Sequence, residues 1–313
     1  MAVTTDSVLA GVKRRAVVPA NQVTLDDDDI LKLIDDVIKV HVVPLVDSVN
    51  GEFFVTSETT TLVAGQSNYS IPYRSIGRTV RDVLIMDTSN NSKRDCPLVA
   101  IEDAHLYDDT ALDFGHYFQG DQIYTVPSVP STYSGNEAFY ILYKMRPSSL
   151  VKLTNAAKVA SVSSPNVEVE AVGDIVTGST IDFIAGKSGN RIFAIDKSVT
   201  NVSGTTLTFT AADIPSDLAA GDYISLQGTS PVVTMIPDEC SPWIERLAAR
   251  EVLLAIGDDV GADKLAPGIA QERENLLSLL EPRNEGEPTI IINRRSLVRG
   301  GKFAQSRWIY GGV

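Results

Sequence analysis

The central part of the chain, residues 52–234, is a succession of short β-rich runs that turn-forming residues separate. The runs are rich in β-branched and aromatic side chains, whereas Ser, Thr, Gly and Asn cluster between them. In the first part we predict strands at residues 53–55, 69–71, 80–86, 98–101, 122–126 and 138–143. In the second part we predict strands at residues 158–162, 167–172, 182–184, 191–196, 206–209 and 223–226. The second part is poor in charge and regularly spaced, and it therefore predicts a small β-sandwich or barrel.

A helical pattern precedes this β-rich region, at residues 26–43. One helical face of this segment carries Ile30, Ile34, Val37 and Ile38. The four consecutive aspartates at 26–29 suit a helix N-terminus, because the helix dipole favours negative charge there. A metal site is the alternative for these aspartates, although consecutive residues point around a helix rather than converge. We expect Pro44 to kink or end the helix.

Two further helical patterns follow the β-rich region. The first covers residues 238–257 and ends at Gly257. The second covers residues 262–281, and Pro267-Gly268 breaks its first part. Trp243, near the start of the first pattern, is expected in the core, with a binding site as the alternative.

Together these patterns predict an α+β fold with five parts. We expect an N-terminal arm at residues 1–24, which a partner orders. A helical bundle combines residues 25–50 with 235–283, next to a β-rich domain at 51–156. An inserted β module occupies 157–234. An extended basic C-terminal tail occupies 284–313, which we call the basic tail.

Charge and cysteine content limit the class of protein. The formal net charge is −13, which argues against general nucleic-acid binding, because that binding needs Lys and Arg to displace counterions. Neither Cys96 nor Cys240 lies in a CxxC pair, so we expect no disulfide framework. Cys240 is interpreted as a small packing residue, with an activated thiolate as the alternative. No apolar run is long enough to cross a bilayer and no signal peptide is evident, so we expect a soluble, unsecreted protein without membrane contact.

The residues expected of an enzyme do not form a recognisable motif. The sequence contains no GxGxxG, GxxxxGK[ST], HExxH or GxSxG. His41 is expected to pack or to carry charge late in a helix. His105 and His116 lie among acidic residues, where a polar loop and a hydrolase or divalent-metal site are the two interpretations. We therefore predict no catalytic residue, no metal site and no cofactor.

The basic tail differs from the rest of the chain in charge. From residue 288 to the end there are five basic residues and no acidic one, so residues 1–287 carry a formal charge of −18. The segment has too little apolar surface to fold alone, yet its aromatic residues suit a partner interface. The predicted docking residues are Arg294, Arg295, Arg299, Lys302, Phe303, Arg307, Trp308 and Tyr310.

The order of these pieces resembles the head–tail connector (adaptor or neck ring) proteins of tailed bacteriophages. The residues that carry the resemblance are IPYRSIGRTVRDV at 71–83, YILYKMRP at 140–147, Ile236-Pro237 before a helix with RLAAR at 246–250, and Asn293-Arg294-Arg295. The match covers about three-quarters of the chain, and residues 157–234 match it least.

The resemblance implies a structural protein of the virion neck, made in the host cytoplasm. In that family, helical segments bracket β structure, and the subunits form a homo-oligomeric, dodecameric ring below the portal protein. A C-terminal extension runs onto the portal, the tail tube or nozzle protein binds the other side, and genomic DNA passes through without sequence-specific binding. For this chain, the basic tail would be the portal-docking extension.

Several alternatives remain open from the sequence. Arg74, Arg78 and Arg81 are candidates for contacts with a neighbouring subunit or with DNA in the channel. The whole chain is alternatively a tail-tube, neck or collar component of the virion. A carbohydrate-binding adhesion protein is a third interpretation, in which aromatic residues of the inserted module stack on sugars.

Overall fold

The computed structural model describes residues 3–17, 25–106, 115–129, 135–187 and 191–280. These residues form a mixed α and β structure with several antiparallel sheets, in agreement with the predicted α+β class. The basic tail, with all eight of its predicted docking residues, lies outside the described residues.

Helices from both ends of the chain share one hydrophobic core. They are α1 (Thr5–Arg15), α2 (Asp27–Val37), α3 (Val43–Val49), α4 (Ser241–Ala255) and α5 (Asp259–Leu280). Helix α4 is central, because α1, α2 and α5 all pack against it. Trp243 of α4 is 4% exposed within this core, which confirms its predicted core position.

The prediction of an arm at residues 1–24 is wrong for residues 5–15, which form helix α1. Val8 and Val12, one helical turn apart, are fully buried in the core shared with α4. A Cβ at Gly11 would collide with the carboxylate of Glu245, so glycine permits this close approach. The sequence pattern is weak here because the partner that buries α1 lies about 230 residues further along the chain.

Two prolines are accommodated inside helical structure instead of ending it. A π-helical turn, Ile38–Val42, connects α2 to α3, and Pro44 occupies the first turn of α3, where a missing N–H is tolerated. Helical structure therefore continues to Val49 rather than ending at 43. In α5, Pro267 has no N–H to donate to the backbone carbonyl one turn earlier. Because Pro267 is exposed, water can donate a hydrogen bond to that carbonyl instead.

The described residues of the first β block form eight strands. They are β1 (Val55–Thr61), β2 (Asn68–Ser70), β3 (Ser75–Asp87), β4 (Lys93–Asp95), β5 (Gly115–Gln119), β6 (Gln122–Val126), β7 (Glu137–Met145) and β8 (Ser149–Leu150). An antiparallel sheet has the order β1-β7-β3-β4, and a second has the order β2-β6-β5. Side chains from both sheets, including Ile123 and Phe139, form one core.

The predicted strand at 98–101 is wrong. Only Leu98 makes an isolated bridge, to His116, and a 3₁₀ helix begins at Ile101. Pro97 lacks the N–H that a ladder requires, and its carbonyl instead accepts a hydrogen bond from the His116 N–H at 2.9 Å.

In the described residues of the inserted module, seven strands form an antiparallel sheet. The remaining strands are β9 (Ala157–Ser163), β10 (Asn166–Val169), β11 (Thr180–Ile184), β12 (Ile192–Ser198), β13 (Asn201–Ser203), β14 (Thr206–Thr208), β15 (Tyr223–Leu226) and β16 (Thr229–Ser230). The sheet order is β12-β11-β15-β9-β10-β14-β13. Strand β16 pairs in parallel with β8, so the chain leaves the module beside the point where it enters.

Candidate functional site

A cleft of about 480 Å³ lies between the first β block and the inserted module. Strand β1 forms one wall and strand β12 the other, and each is the outermost strand of its sheet. The buried side chains of Tyr143 and Met145 also line the cleft. The cleft is therefore bounded by two sheet edges above an apolar base.

The main chains of both strands face this cleft. Its lining includes the consecutive residues 56–59 of β1 and 192–197 of β12. Because successive side chains of a strand point to opposite faces, a cleft lined by one face alone would contact only alternate residues. Contact with consecutive residues means that the strand edges, with their free N–H and C=O groups, border the opening.

Two carboxylates give the cleft a negative character. Burial, together with the nearby charge of Asp196, raises the pKa of Glu58. Within the described part of the chain neither Glu58 nor Asp196 forms an ion pair. The lysine in the lining, Lys197, pairs instead with Asp213 at 2.9 Å. A cationic ligand would therefore meet two uncompensated carboxylates.

The position of Asp196 is fixed by a distortion in β12. Its backbone has φ 58°, in the left-handed region, where the register between β11 and β12 shifts. Its carboxylate accepts hydrogen bonds from the Tyr73 hydroxyl at 3.0 Å and the Gln227 amide at 2.7 Å. Burial, followed by the hydrogen bond to Asp196, raises the pKa of Tyr73 to about 12, so this phenol stays protonated as a donor.

A buried ion pair joins the first β block to the inserted module. Arg74 is 4% exposed, and its Nη1 lies 2.7 Å from Oδ2 of the fully buried Asp182. The guanidinium also donates to the Ser148 hydroxyl at 2.7 Å. Asp182 additionally accepts hydrogen bonds from the backbone N–H groups of Gly228 at 2.9 Å and Asp196 at 3.1 Å.

The interpretation of Arg74 as a channel or inter-subunit residue is therefore wrong. Its side chain is enclosed within the subunit and holds the inserted module to the first β block. The sequence could not reveal this role, because Arg74 and Asp182 are 108 positions apart.

Arg78 and Arg81 are exposed. Arg78 follows Gly77, and both have φ near 60° where β3 bulges away from its partner β7. Arg81 forms an ion pair with Glu52 on the surface. Their roles at a subunit interface or facing DNA stay predictions.

The remaining candidate residues do not assemble into a reactive site. His116 lies buried on β5 rather than in a polar loop, and burial lowers its pKa. His105 and His41 are exposed, so the prediction that His41 packs in the core is wrong. Burial raises the pKa of Cys240 to about 12, which favours the packing interpretation over a thiolate.

Neither the protein-family models nor the curated proteins give a match to this sequence. Among the residues that the structure describes, no three His, Cys, Asp or Glu side chains are grouped as a metal site would require. In the same residues, no helix has the length and apolar character needed to span a membrane.

Replacing Glu58 with Gln should raise the stability of the free protein at neutral pH. A carboxyl group whose pKa is higher in the folded than in the unfolded protein destabilises the folded state at pH values above the folded pKa. This destabilisation is absent below pH 4.5, the usual pKa of a glutamate side chain. We expect the Tm of Glu58→Gln to rise by up to about 2 °C at pH 7 and to match the parent below pH 4.5. Scanning calorimetry checks this, with exposed Glu102→Gln as the matched control. An unchanged or lower Tm at pH 7 would contradict it.

Proposed function

We propose that this chain is a non-catalytic structural protein of a phage virion, a connector that joins the head to the tail. The observation that supports this most is that helices from both ends of the chain pack into one core around α4 and bracket the β structure. The family resemblance implies this arrangement. The tail-tube, neck or collar component remains the alternative within the virion.

The finer architecture belongs to the same proposal. We infer that α1, α2, α4 and α5 act as a helical bundle, with Arg246 of α4 tied to Glu272 of α5 at 2.9 Å. The inserted module acts as a small barrel-like unit. Strands from both halves of its sheet contribute to one core, as Phe183 of β11 and Leu207 of β14 do, so the sheet has to curl around that core.

The charge distribution also fits a passage for DNA. Residues 1–287 carry a formal charge of −18, and a ring of such subunits would repel a polyanion that has to slide through it. The ring, which the resemblance makes dodecameric, would sit below the portal protein and above the tail tube or nozzle protein.

The basic tail would dock on the portal. Arg294, Arg295 and Arg299 can each form two parallel hydrogen bonds with a carboxylate. Trp308 and Tyr310 are residue types that dominate interface energetics. An acidic or apolar groove on the portal is the complementary surface.

The carbohydrate-binding interpretation loses support from the module's aromatic residues. Phe183, Phe209 and Tyr223 are buried, at 0%, 3% and 8% exposure. Phe193 is half-buried beside the Arg191 guanidinium. These rings serve the module's own packing rather than forming an exposed platform.

The decisive test mixes the purified protein with the portal protein from the same genome. Full-length chain and a truncation ending at Glu287 are compared by electron microscopy and by binding titration. We expect the full-length chain to form a ring on the portal and the truncation to bind at least tenfold more weakly. A full-length variant with Arg299, Lys302 and Arg307 changed to Ser controls for chain length and should also bind weakly. Equal portal binding by all three favours the collar or tube component, and no binding by any overturns the connector.

A further inference from the structure

We propose that the cleft between β1 and β12 binds residues 289–295 of the basic tail of a second copy, which add as a strand to the free edge of β1. This inference concerns contacts between copies. It assigns Arg294 and Arg295 to a neighbouring subunit instead of the portal, and it leaves the later docking residues, Arg299 to Tyr310, for the portal. It rests on the proposed function in one respect, the formation of a ring.

Strand β1 offers a regular template for strand addition. Its seven residues pair with β7 without any shift in register, from Val55 opposite Lys144 to Thr61 opposite Ala138. Its other edge borders the cleft, so its N–H and C=O groups there are free to pair with an added strand. Strand β12 is less suitable, because the distortion at Asp196 interrupts its register.

The segment at 289–295 has the composition that this edge requires. It reads TIIINRR, a β-branched run followed by two arginines. The arginines match the uncompensated carboxylates of Glu58 and Asp196, and the isoleucines match the apolar base at Met145. Charge and β propensity therefore select the same seven residues.

A second copy is the occupant because each subunit carries both halves of the contact. An acidic cleft that receives a neighbour's basic segment makes a head-to-tail contact, and such contacts close into a ring when the rotation permits. The segment begins nine residues after Leu280, so an extended chain places it up to about 30 Å from the end of α5.

Disulfide trapping between full-length chains tests the contact. One chain carries Thr59→Cys on β1, and partner chains carry Ile290→Cys, Ile291→Cys or Ile292→Cys. The native cysteines are both buried, so they do not compete. Facing residues of adjacent antiparallel strands lie about 4.5–5.5 Å apart at Cα, within disulfide range. We expect linked dimers with a yield that alternates along the three positions, because side chains of a strand alternate in direction.

Two controls make the result specific. Ser89→Cys lies exposed near the opposite edge of the same sheet and should give less than a fifth of the dimer. Adding Glu58→Gln to the Thr59→Cys chain should lower the yield at least fivefold, since it removes charge and keeps side-chain size. Equal linking at Ser89, or no effect of Glu58→Gln, would overturn the proposal.

The trapping is run with and without portal protein so that the two proposals fail separately. No linked dimer in either condition, or linking only within a single chain that carries both cysteines, overturns the contact between copies. If portal complexes form without linked dimers, only this inference fails. If linked dimers form and no portal complex does, the connector proposal fails and the contact between copies stands.

Discussion

Replacing Arg74 with Met should destabilise the protein by about 3–5 kcal/mol, the typical cost of leaving one partner of a buried ion pair unmatched. Asp182 is fully buried. Without Arg74, it would keep only two of its present hydrogen-bond donors, the backbone N–H groups of Gly228 and Asp196. Met fills similar space without charge, so the loss reports the missing pairing rather than a cavity. Urea unfolding measures it as a lower midpoint with an unchanged slope.

The exposed Arg81 provides the matched control. Arg81→Met removes a surface pair with Glu52, which should cost about 0–1 kcal/mol. If Arg74→Met were as stable as Arg81→Met, the pair with Asp182 would not hold the module to the first β block. A second readout follows because the pair joins the inserted module to the first β block, which carry the two cleft walls: Arg74→Met should also reduce trapping at Thr59.

Replacing Trp243 with Ala should cost about 3–5 kcal/mol, because a large buried ring is lost and the surrounding core relaxes only in part. Trp243 opens helix α4 at the centre of the core formed by helices from both chain ends. Thermal or urea unfolding measures the loss.

Trp243→Phe separates ring packing from the indole N–H. The indole Nε1 has no hydrogen-bond partner among the described residues, so its removal breaks no hydrogen bond. We expect Trp243→Phe to lose less than half of what Trp243→Ala loses. Equal losses for the two variants would contradict a packing role for the ring.

The sequence predicted best those elements whose signals are local. Helix α2 has an apolar face, and the Asp26 side chain caps it by accepting a hydrogen bond from the Asp29 N–H at 2.8 Å, as the acidic run indicated. Gly257 follows α4 with φ 83°, as a helix C-terminus favours. The sequence did not predict helix α1, because its few apolar residues are buried only through packing against α4.

The cleft could not be predicted, because it depends on how two separate sheets are docked. Glu58 lies in a Thr-rich run whose β-branched residues could have indicated strand β1. Nothing local shows that this strand is an edge or that it faces β12. Arg74 and Asp182, which join the two parts, are likewise brought together only by the tertiary structure.

The beginning of the chain is anchored to a segment made much later. The Thr5 N–H donates to the Pro231 carbonyl at 2.9 Å, the Val233 N–H donates to the Val3 carbonyl at 2.9 Å, and α1 packs on α4. During synthesis, the apolar faces of α1 and α2 therefore stay exposed until α4 has left the ribosome. The inserted module, whose strands are close in sequence, can complete its own sheet before then. Nascent chains should thus depend on chaperones for their first residues rather than for their middle.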